Sequence, residues 1–407
     1  MSELLLTEIS QLVTTEGSQP KRGAEMSKLR IISGAAVAVD RGRISWLGRA
    51  QDWDGRADAV IDLGQRAVLP GLIDPHTHAV WGGDRLADFE ARSTGATYEQ
   101  ILTAGGGIWH TIRETEGLSC EEMAALSLPR IEALVRSGAT TVEVKSGYGY
   151  SVEAELRMLR AINLMREQTK VRLVPTLLIH VCPQDEDKRV ALRDAVCEEL
   201  IPKTAKEKLA QAVDIFVEQH AWSAADARVI LKCAKSHGLA IKLHTEQFQS
   251  VGGLELGLEL GALSVDHLEA CTEEQIRRMG GTATIATILP GVSLHLGLPT
   301  APGRKLIDSG AAVAIGTDLN PGSSPLYSIS AAMGLAIRMN GLTAAEALTA
   351  CTINSAAALG LSDVGRLEVG CMADMLVLES ADWRDLAYTM GQSVVREVWV
   401  GGERLEL

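Results

Sequence analysis

Val68-Leu69-Pro70-Gly71-Leu72-Ile73-Asp74-Pro75-His76-Thr77-His78 is the stretch whose reading decides the fold. An apolar run ends in two histidines spaced i, i+2. Side chains two apart in a strand leave the same face, so His76 and His78 emerge side by side. Two imidazoles at a strand end form half of a metal site, and Pro75 limits further sheet pairing. With 9 histidines in 407 residues, a chance H-x-H pair is ordinary, so the rest of the chain has to decide.

Working outward, seven further apolar runs follow: Thr140–Val144, Leu173–Ile179, Val213–Val217, Ala240–Leu243, Leu263–Val265, Thr282–Ile288 and Ala311–Ile315. Together with Val68–Ile73 they read as buried parallel strands, separated by helical stretches. Capping boxes mark three helix starts: Ser119 with Glu122, Thr272 with Gln275, and Thr343 with Glu346. Eight βα units predict an α/β fold, a (β/α)₈ TIM-like barrel with its chemistry at the C-terminal strand ends. A doubly wound sheet competes, but no glycine-rich dinucleotide fingerprint follows any run.

Both chain ends have another texture. Leu29–Ile32, Ala36–Val39 and Ile44–Leu47 read as short strands around the Asp40–Arg43 turn. Met375–Leu378 and Val394–Val400, closing at Gly401-Gly402, read the same way. Neither end holds enough strands for a core of its own, so one small β-sandwich built from both is expected. The expected boundaries are residues 1–68, 69–364 for the barrel, and 365–407.

Composition narrows the function. Hydrophobic residues make up 46% and aromatics only 4%, so the large core is aliphatic. A formal net charge of −13 argues against nucleic-acid or anionic-membrane partners, and an anionic substrate would need a local cation. The 7 cysteines are scattered with no C-x-x-C, as in a reducing compartment. No basic-then-apolar leader opens the chain, and no run approaches the ~18 residues of a membrane span. The expectation is a cytoplasmic protein.

Polar residues gather at the strand ends. The first strand ends in His76 and His78, the second in Lys145-Ser146-Gly147-Tyr148, and the third in His180. The fourth ends in Glu218, the fifth in His244-Thr245-Glu246-Gln247, the sixth in Asp266-His267, and the eighth in Gly316-Thr317-Asp318. Rim solvation does not account for five histidines at predicted strand ends. The ligand set read from this pattern is His76, His78, His244 and Asp318. Three imidazoles and a carboxylate suit zinc or iron and are too nitrogen-rich for magnesium or calcium. Such an ion brings the pKa of its water toward ~7, and Asp318 beside it is placed to carry the proton to a leaving nitrogen. His267 is expected to polarise the reacting carbonyl or orient the nucleophile.

H-x-H on the first strand, histidines on the fifth and sixth, and aspartate on the eighth resemble the amidohydrolase superfamily, which also has a small β-sandwich made from both chain ends. The likeness is closest to its branch that opens imidazolone rings in histidine degradation. It is carried by Pro70–Arg85 (PGLIDPHTHAVWGGDR), Gly105–Ile108, Thr140–Tyr150 (TTVEVKSGYGY), the His244–Gln247 turn and Ile315–Ser323 (IGTDLNPGS). The resemblance implies hydrolysis of a cyclic amide C–N bond, one zinc or iron ion per chain, and a homodimer. It implies that Arg85, Tyr148, His180 and Gln247 hold the substrate, and that Asn320, Gly322 and Ser323 contact its propionate or the product. Arg85 fits that task, since a guanidinium grips a carboxylate in a fork.

Two departures matter. The fourth strand ends in Glu218-Gln219 rather than in a bridging lysine, which favours a single ion. Lys145, on the second strand, is expected in an ion pair. Deaminases of the superfamily carry H-x-x-E on the fifth strand; here it is H-x-x-Q, with the carboxylate displaced to Glu246. Gln247 cannot shuttle a proton. Proton transfer then falls to Asp318 and His267, with Glu246 a further candidate. An aminohydrolase acting on a heterocyclic amine is the alternative activity, and a non-catalytic binding barrel would show a lost ligand, which this chain does not.

Overall fold

The computed structural model describes residues 2–97, 100–101 and 104–406. Two sheets organise them. One contains β5 (Leu72–Asp74), β6 (Ala139–Lys145), β7 (Arg172–Ile179), β8 (Ala212–Val217), β9 (Ala240–Thr245), β10 (Ser264–His267), β11 (Ile285–Ile288) and β12 (Val313–Ile315), in sequence order. All of its pairings are parallel. Helices alternate with these strands, and each of the three expected capping boxes is formed with both of its hydrogen bonds.

The seam between β12 and β5 closes beyond the strands. Thr77 and Leu319 form a parallel bridge, with Asp318 N donating to His76 O (3.0 Å) and His78 N to Leu319 O (2.9 Å). Asp74 ties the same seam from beneath, accepting from Thr317 N (3.1 Å) and Thr317 Oγ1 (2.5 Å). The barrel expected from eight βα units is the fold observed.

The second sheet joins both chain ends in the order β15-β14-β13-β4-β1-β2-β3. Its strands are β1 (Ser2–Thr14), β2 (Arg30–Asp40), β3 (Arg43–Arg49), β4 (Ala57–Pro70), β13 (Met375–Leu378), β14 (Val395–Val400) and β15 (Glu403–Arg404). Leu6, Ile9, Leu12, Val37, Val68, Met375, Val377 and Trp399 pack its core.

Sequence reading missed β1, a central strand, and treated Val68–Ile73 as one barrel strand. Val68–Pro70 instead pairs with β13 in the second sheet, while Leu72 and Ile73 pair with β6 in the barrel. Gly71 is the crossing point, its N–H donating to Asp374 O. A Cβ there would lie 2.2 Å from Thr140 Oγ1, so the chain passes between the sheets only as glycine. The stretch holding the first two histidines is thus anchored in both sheets.

Candidate active site

His76 and His78 alternate with Thr77, whose Oγ1 points away to Glu143 O (2.5 Å). Both histidines are buried. Their Nε2 atoms meet Asp318 Oδ1 at 3.3 and 3.1 Å, and His244 Nε2 lies 3.3 Å from His78 Nε2. The four residues expected as ligands converge, although they come from the first, fifth and eighth strands. His267 is brought in as well: it forms with His76 and His244 one group of donor atoms within 4.8 Å, and His76, His78 and Asp318 form another.

The arrangement tests whether a cation fits. His76 Nδ1 contacts Asp266 Oδ2 at 2.6 Å and His244 Nδ1 contacts Asp214 Oδ2 at 3.0 Å. A carboxylate at Nδ1 fixes the proton there and turns the Nε2 lone pair inward. His76 Nε2 and Asp318 Oδ1 are buried without a hydrogen-bond partner among the described residues. Several acceptors aimed at one point, two of them (His76 and His244) with a carboxylate at Nδ1, make a donor set for a divalent metal ion. Burial and neighbouring His76 hold His244 well below the usual imidazole range, so it is neutral as a ligand must be. Burial alone would raise Asp318, but His76 and His78 outweigh it and keep the carboxyl well below its ordinary value.

Beneath these residues lies a buried ion network. Lys145 Nζ contacts Glu143 Oε2 and Asp214 Oδ2, both at 2.7 Å, and all three side chains are fully buried. Lys242 Nζ bonds both oxygens of Glu143 at 2.9 Å and lies 3.6 Å from Asp266 Oδ2. Burial works against charge on Lys145, yet Asp214, Glu143 and Asp266 together raise its pKa. The ion pair expected for Lys145 is present, and it supports the carboxylate that orients His244. Sequence reading did not single out Glu143, Asp214, Lys242 or Asp74. The available signal was a charge inside an apolar strand, as in Val142-Glu143-Val144, Val213-Asp214-Ile215 and Ile241-Lys242-Leu243.

An aromatic wall faces the cluster. His180 stacks on His78 (5.7 Å between centroids, 27°), and Tyr148 lies 5.9 Å from His180 and 6.2 Å from His78. Phe216, not anticipated from sequence, packs 5.6 Å from His180. Burial and nearby His78 push His180 down to about 3, which keeps it neutral. Tyr148 sits on a loop clamped by Glu155, which accepts from Gly147 N (2.9 Å) and Gly149 N (2.7 Å). A Cβ on Gly149 would approach Glu155 N to 2.5 Å, so the loop closes this tightly only with glycine.

Arg85 is mostly enclosed, but two of its three nitrogens are already engaged. Nε pairs with Asp88 at 2.5 Å, and Nη1 bonds Gly107 O and Thr111 Oγ1. Nη2 faces Gly322, where a Cβ would lie 3.2 Å away. One edge rather than the whole guanidinium is left for a carboxylate.

Asn320, Ser323 and Glu246 each have their side chains engaged within the protein. Asn320 Nδ2 donates to Asp318 Oδ2 (2.9 Å), and Asn320 Oδ1 accepts from Gly322 N and Ser323 N (2.8 Å each). Ser323 Oγ lies 3.3 Å from the same Asp318 oxygen. Their side chains therefore fix Asp318, leaving Oδ1 for the histidines. Glu246, expected as a proton carrier, is turned to the neighbouring helix: it accepts from Val251 N, Leu254 N and Gln275 Nε2 (3.2, 3.2 and 2.8 Å). Those bonds occupy both oxygens, and the left-handed backbone of Glu246 (φ 56°) turns the chain at the strand end. Gln247, by contrast, is buried at the same strand end and has no such engagement among the described residues.

Residues 67–405 match the profile described as the amidohydrolase family. The chain is 57% identical over 406 residues to an imidazolonepropionase of Deinococcus deserti, covering 100% of both chains. It is 56% identical, with the same coverage, to an imidazolonepropionase of Deinococcus radiodurans. Among solved structures it resembles an adenosine deaminase from Xanthomonas campestris with bound zinc, with a TM-score of 0.74 at 19% identity over 99% of this chain and 92% of that one. That likeness concerns the fold alone. The converged His–Asp cluster, the barrel with its two-ended sheet and the full-length identity agree: the chain belongs to the amidohydrolase family, within its imidazolonepropionase group.

Proposed function

We propose that the chain hydrolyses 4-imidazolone-5-propanoate to N-formimino-L-glutamate, with one zinc or iron ion held by His76, His78, His244 and Asp318. The observation that carries this reading is the meeting of three inward Nε2 atoms and Asp318 Oδ1 in a chain matching imidazolonepropionases from end to end. When bound, the ion supplies an acidified water and a positive field at the reacting carbonyl.

The chain's own residues do the remaining work. Tyr148, His180 and Gln247 line the space for a flat ring, and Arg85 Nη2 is left for the propionate. Attack of water on the ring carbonyl carbon and cleavage of its C–N bond move one proton from the water to the departing nitrogen. Asp318 is placed to take that proton and pass it on. Asn320 and Ser323 steady that carboxylate through Oδ2. His267, whose ring lies 5.6 Å from that of His76 and 5.3 Å from that of His244, polarises the carbonyl. The deaminase reading lacks its proton shuttle, since Gln247 stands where an acid would be needed.

A cytoplasmic homodimer completes the proposal. No helix among the described residues is long and apolar enough to cross a membrane, and the full-length relatives support a small-molecule substrate. Incubating purified protein with imidazolone propionate while measuring bound metal tests the reading. Ring opening that is lost on chelation and restored by zinc or ferrous iron is the expected result. Ammonia release from a heterocyclic amine, with no ring opening, would overturn it.

A further inference from the structure

Strand β10 ends in two consecutive left-handed residues, His267 (φ 87°) and Leu268 (φ 73°). Side-chain-bearing residues adopt that backbone rarely, and two in succession need outside support. The support is visible: Leu268 N donates to Thr245 O (3.3 Å) and Ala270 N to Glu246 O (2.7 Å), pinning the turn to the end of β9. The turn folds Glu269 back beside His267.

Glu269 is an anomaly in its surroundings. Its side chain is 3% exposed, and neither carboxylate oxygen has a hydrogen-bond donor among the described residues. Buried carboxylates almost always find donors, because desolvating the charge is expensive. His267 Nδ1 lies 3.6 Å from Glu269 Oε2 and is itself buried without a partner. That gap is a few tenths of an ångström beyond a hydrogen bond of ~2.7–3.2 Å, so a small ring rotation closes it. Two complementary orphans facing one another outside the ligand set and the ion network have one evident use.

We propose that Glu269 is a positioning residue that acts through His267. It takes the Nδ1 proton in a hydrogen bond, fixes the ring's tautomer and plane, and leaves Nε2 as the atom presented to the substrate. His76 is hydrogen-bonded at Nδ1 by Asp266 in the same way, and His244 Nδ1 lies 3.0 Å from Asp214, but the Nε2 atoms of these two rings face the His–Asp cluster. In His267 that device is given to a residue that meets substrate instead. The inference deepens the proposed reaction and rests on it for its kinetic arm only.

The test has two arms on the metal-loaded protein. In ¹⁵N-histidine NMR without substrate, with His267 assigned by its loss in His267→Asn, Nδ1 is expected protonated and Nε2 bare. Glu269→Leu is expected to remove that preference, and Glu269→Asp to keep it. In kinetics, Glu269→Leu lowers kcat by about tenfold to a hundredfold, as loss of an outer partner of a site histidine does. KM and metal content stay unchanged, and Glu269→Asp recovers part of the rate. In a His267→Asn background, Glu269→Leu costs nothing further.

A wild-type His267 protonated on Nε2, or losses that multiply independently in the double variant, would overturn the proposal. Should Glu269→Leu not fold, Glu269→Gln serves the kinetic arm and wild type alone settles the NMR arm. Failure of wild type to open the imidazolone ring refutes the proposed function, and the tautomer still decides this one.

Discussion

Replacing Lys145 by methionine keeps the length of the side chain and removes its charge. Lys145 is fully buried, with Glu143 and Asp214 each 2.7 Å from its ammonium. Lys242 compensates Glu143 in part, through two 2.9 Å bonds, but makes no contact this close to Asp214. Asp214 would be left charged in the barrel interior with neutral His244 in contact and only the more distant charge of Lys242 and nearby His76 to offset it. Breaking one partner of a buried pair costs about 3–5 kcal/mol. Unfolding entropy of about 2.1 cal/mol/K per residue over 407 residues then lowers Tm by about 4–6 °C. The assay is a thermal melt of metal-free protein, so that ion binding does not mask the change. Lys28→Met is the control, because the Lys28–Glu25 pair is largely exposed and such pairs add little to stability. Adding Asp214→Asn to Lys145→Met should recover part of the loss, since the orphaned charge goes with it. A melt of Lys145→Met no lower than the control's would refute the reasoning that this network holds the site's floor.

Asp318→Asn should leave a folded barrel and lower kcat by about 10²–10⁴, the size of a general acid–base contribution; most of the rate surviving in steady-state assays would contradict the role given to Asp318. Arg85→Ala should raise KM for a propionate-bearing substrate about tenfold or more, from loss of a charge-assisted hydrogen bond of about 1.5–3 kcal/mol. An unchanged KM would place the carboxylate elsewhere. Glu155 supplies a pH dependence: burial pushes its carboxyl up, against the opposing bonds from Ser146, Gly149 and Gly147. The folded chain then keeps this proton to higher pH than the unfolded chain does, so stability falls as pH rises from about 4.5 toward the folded value. Denaturant titrations of Glu155→Gln across that window should show a flatter stability–pH curve than wild type, and an identical slope would exclude Glu155 as its source.

The barrel and the residues that converge at its strand ends were legible because each barrel strand is a short apolar run ending in polar residues. A fully buried parallel strand needs no alternation to be recognised. Strand β1 was not legible in that way. Glu3, Thr7, Glu8 and Ser10 interrupt Ser2–Thr14, and its register with β2 shifts between Leu6 and Ile9, so neither alternation nor an unbroken run marks it. The seam at Gly71 was hidden because two sheets share one unbroken apolar stretch. At the site, residue type identified His76, His78, His244 and Asp318, but not what each neighbour does. Glu246 and Gln247 are adjacent and both polar, and only the turn at φ 56° decides that the acid faces the helix. Asn320 and Ser323 read as ligand-facing loop residues until the Asp318 carboxylate is seen between them.

The stitch joining Thr77 to Leu319, with Asp74 beneath it, has a consequence for biogenesis. Two hundred and more residues separate the halves of the ion's cage, so a chain still emerging from the ribosome owns only an incomplete claw. The four donors come together only when the final βα unit docks and the cylinder shuts. Completion of the cluster is therefore a late event that requires a finished barrel, and a truncated product stopping before that last unit would leave its leading histidines without their aspartate.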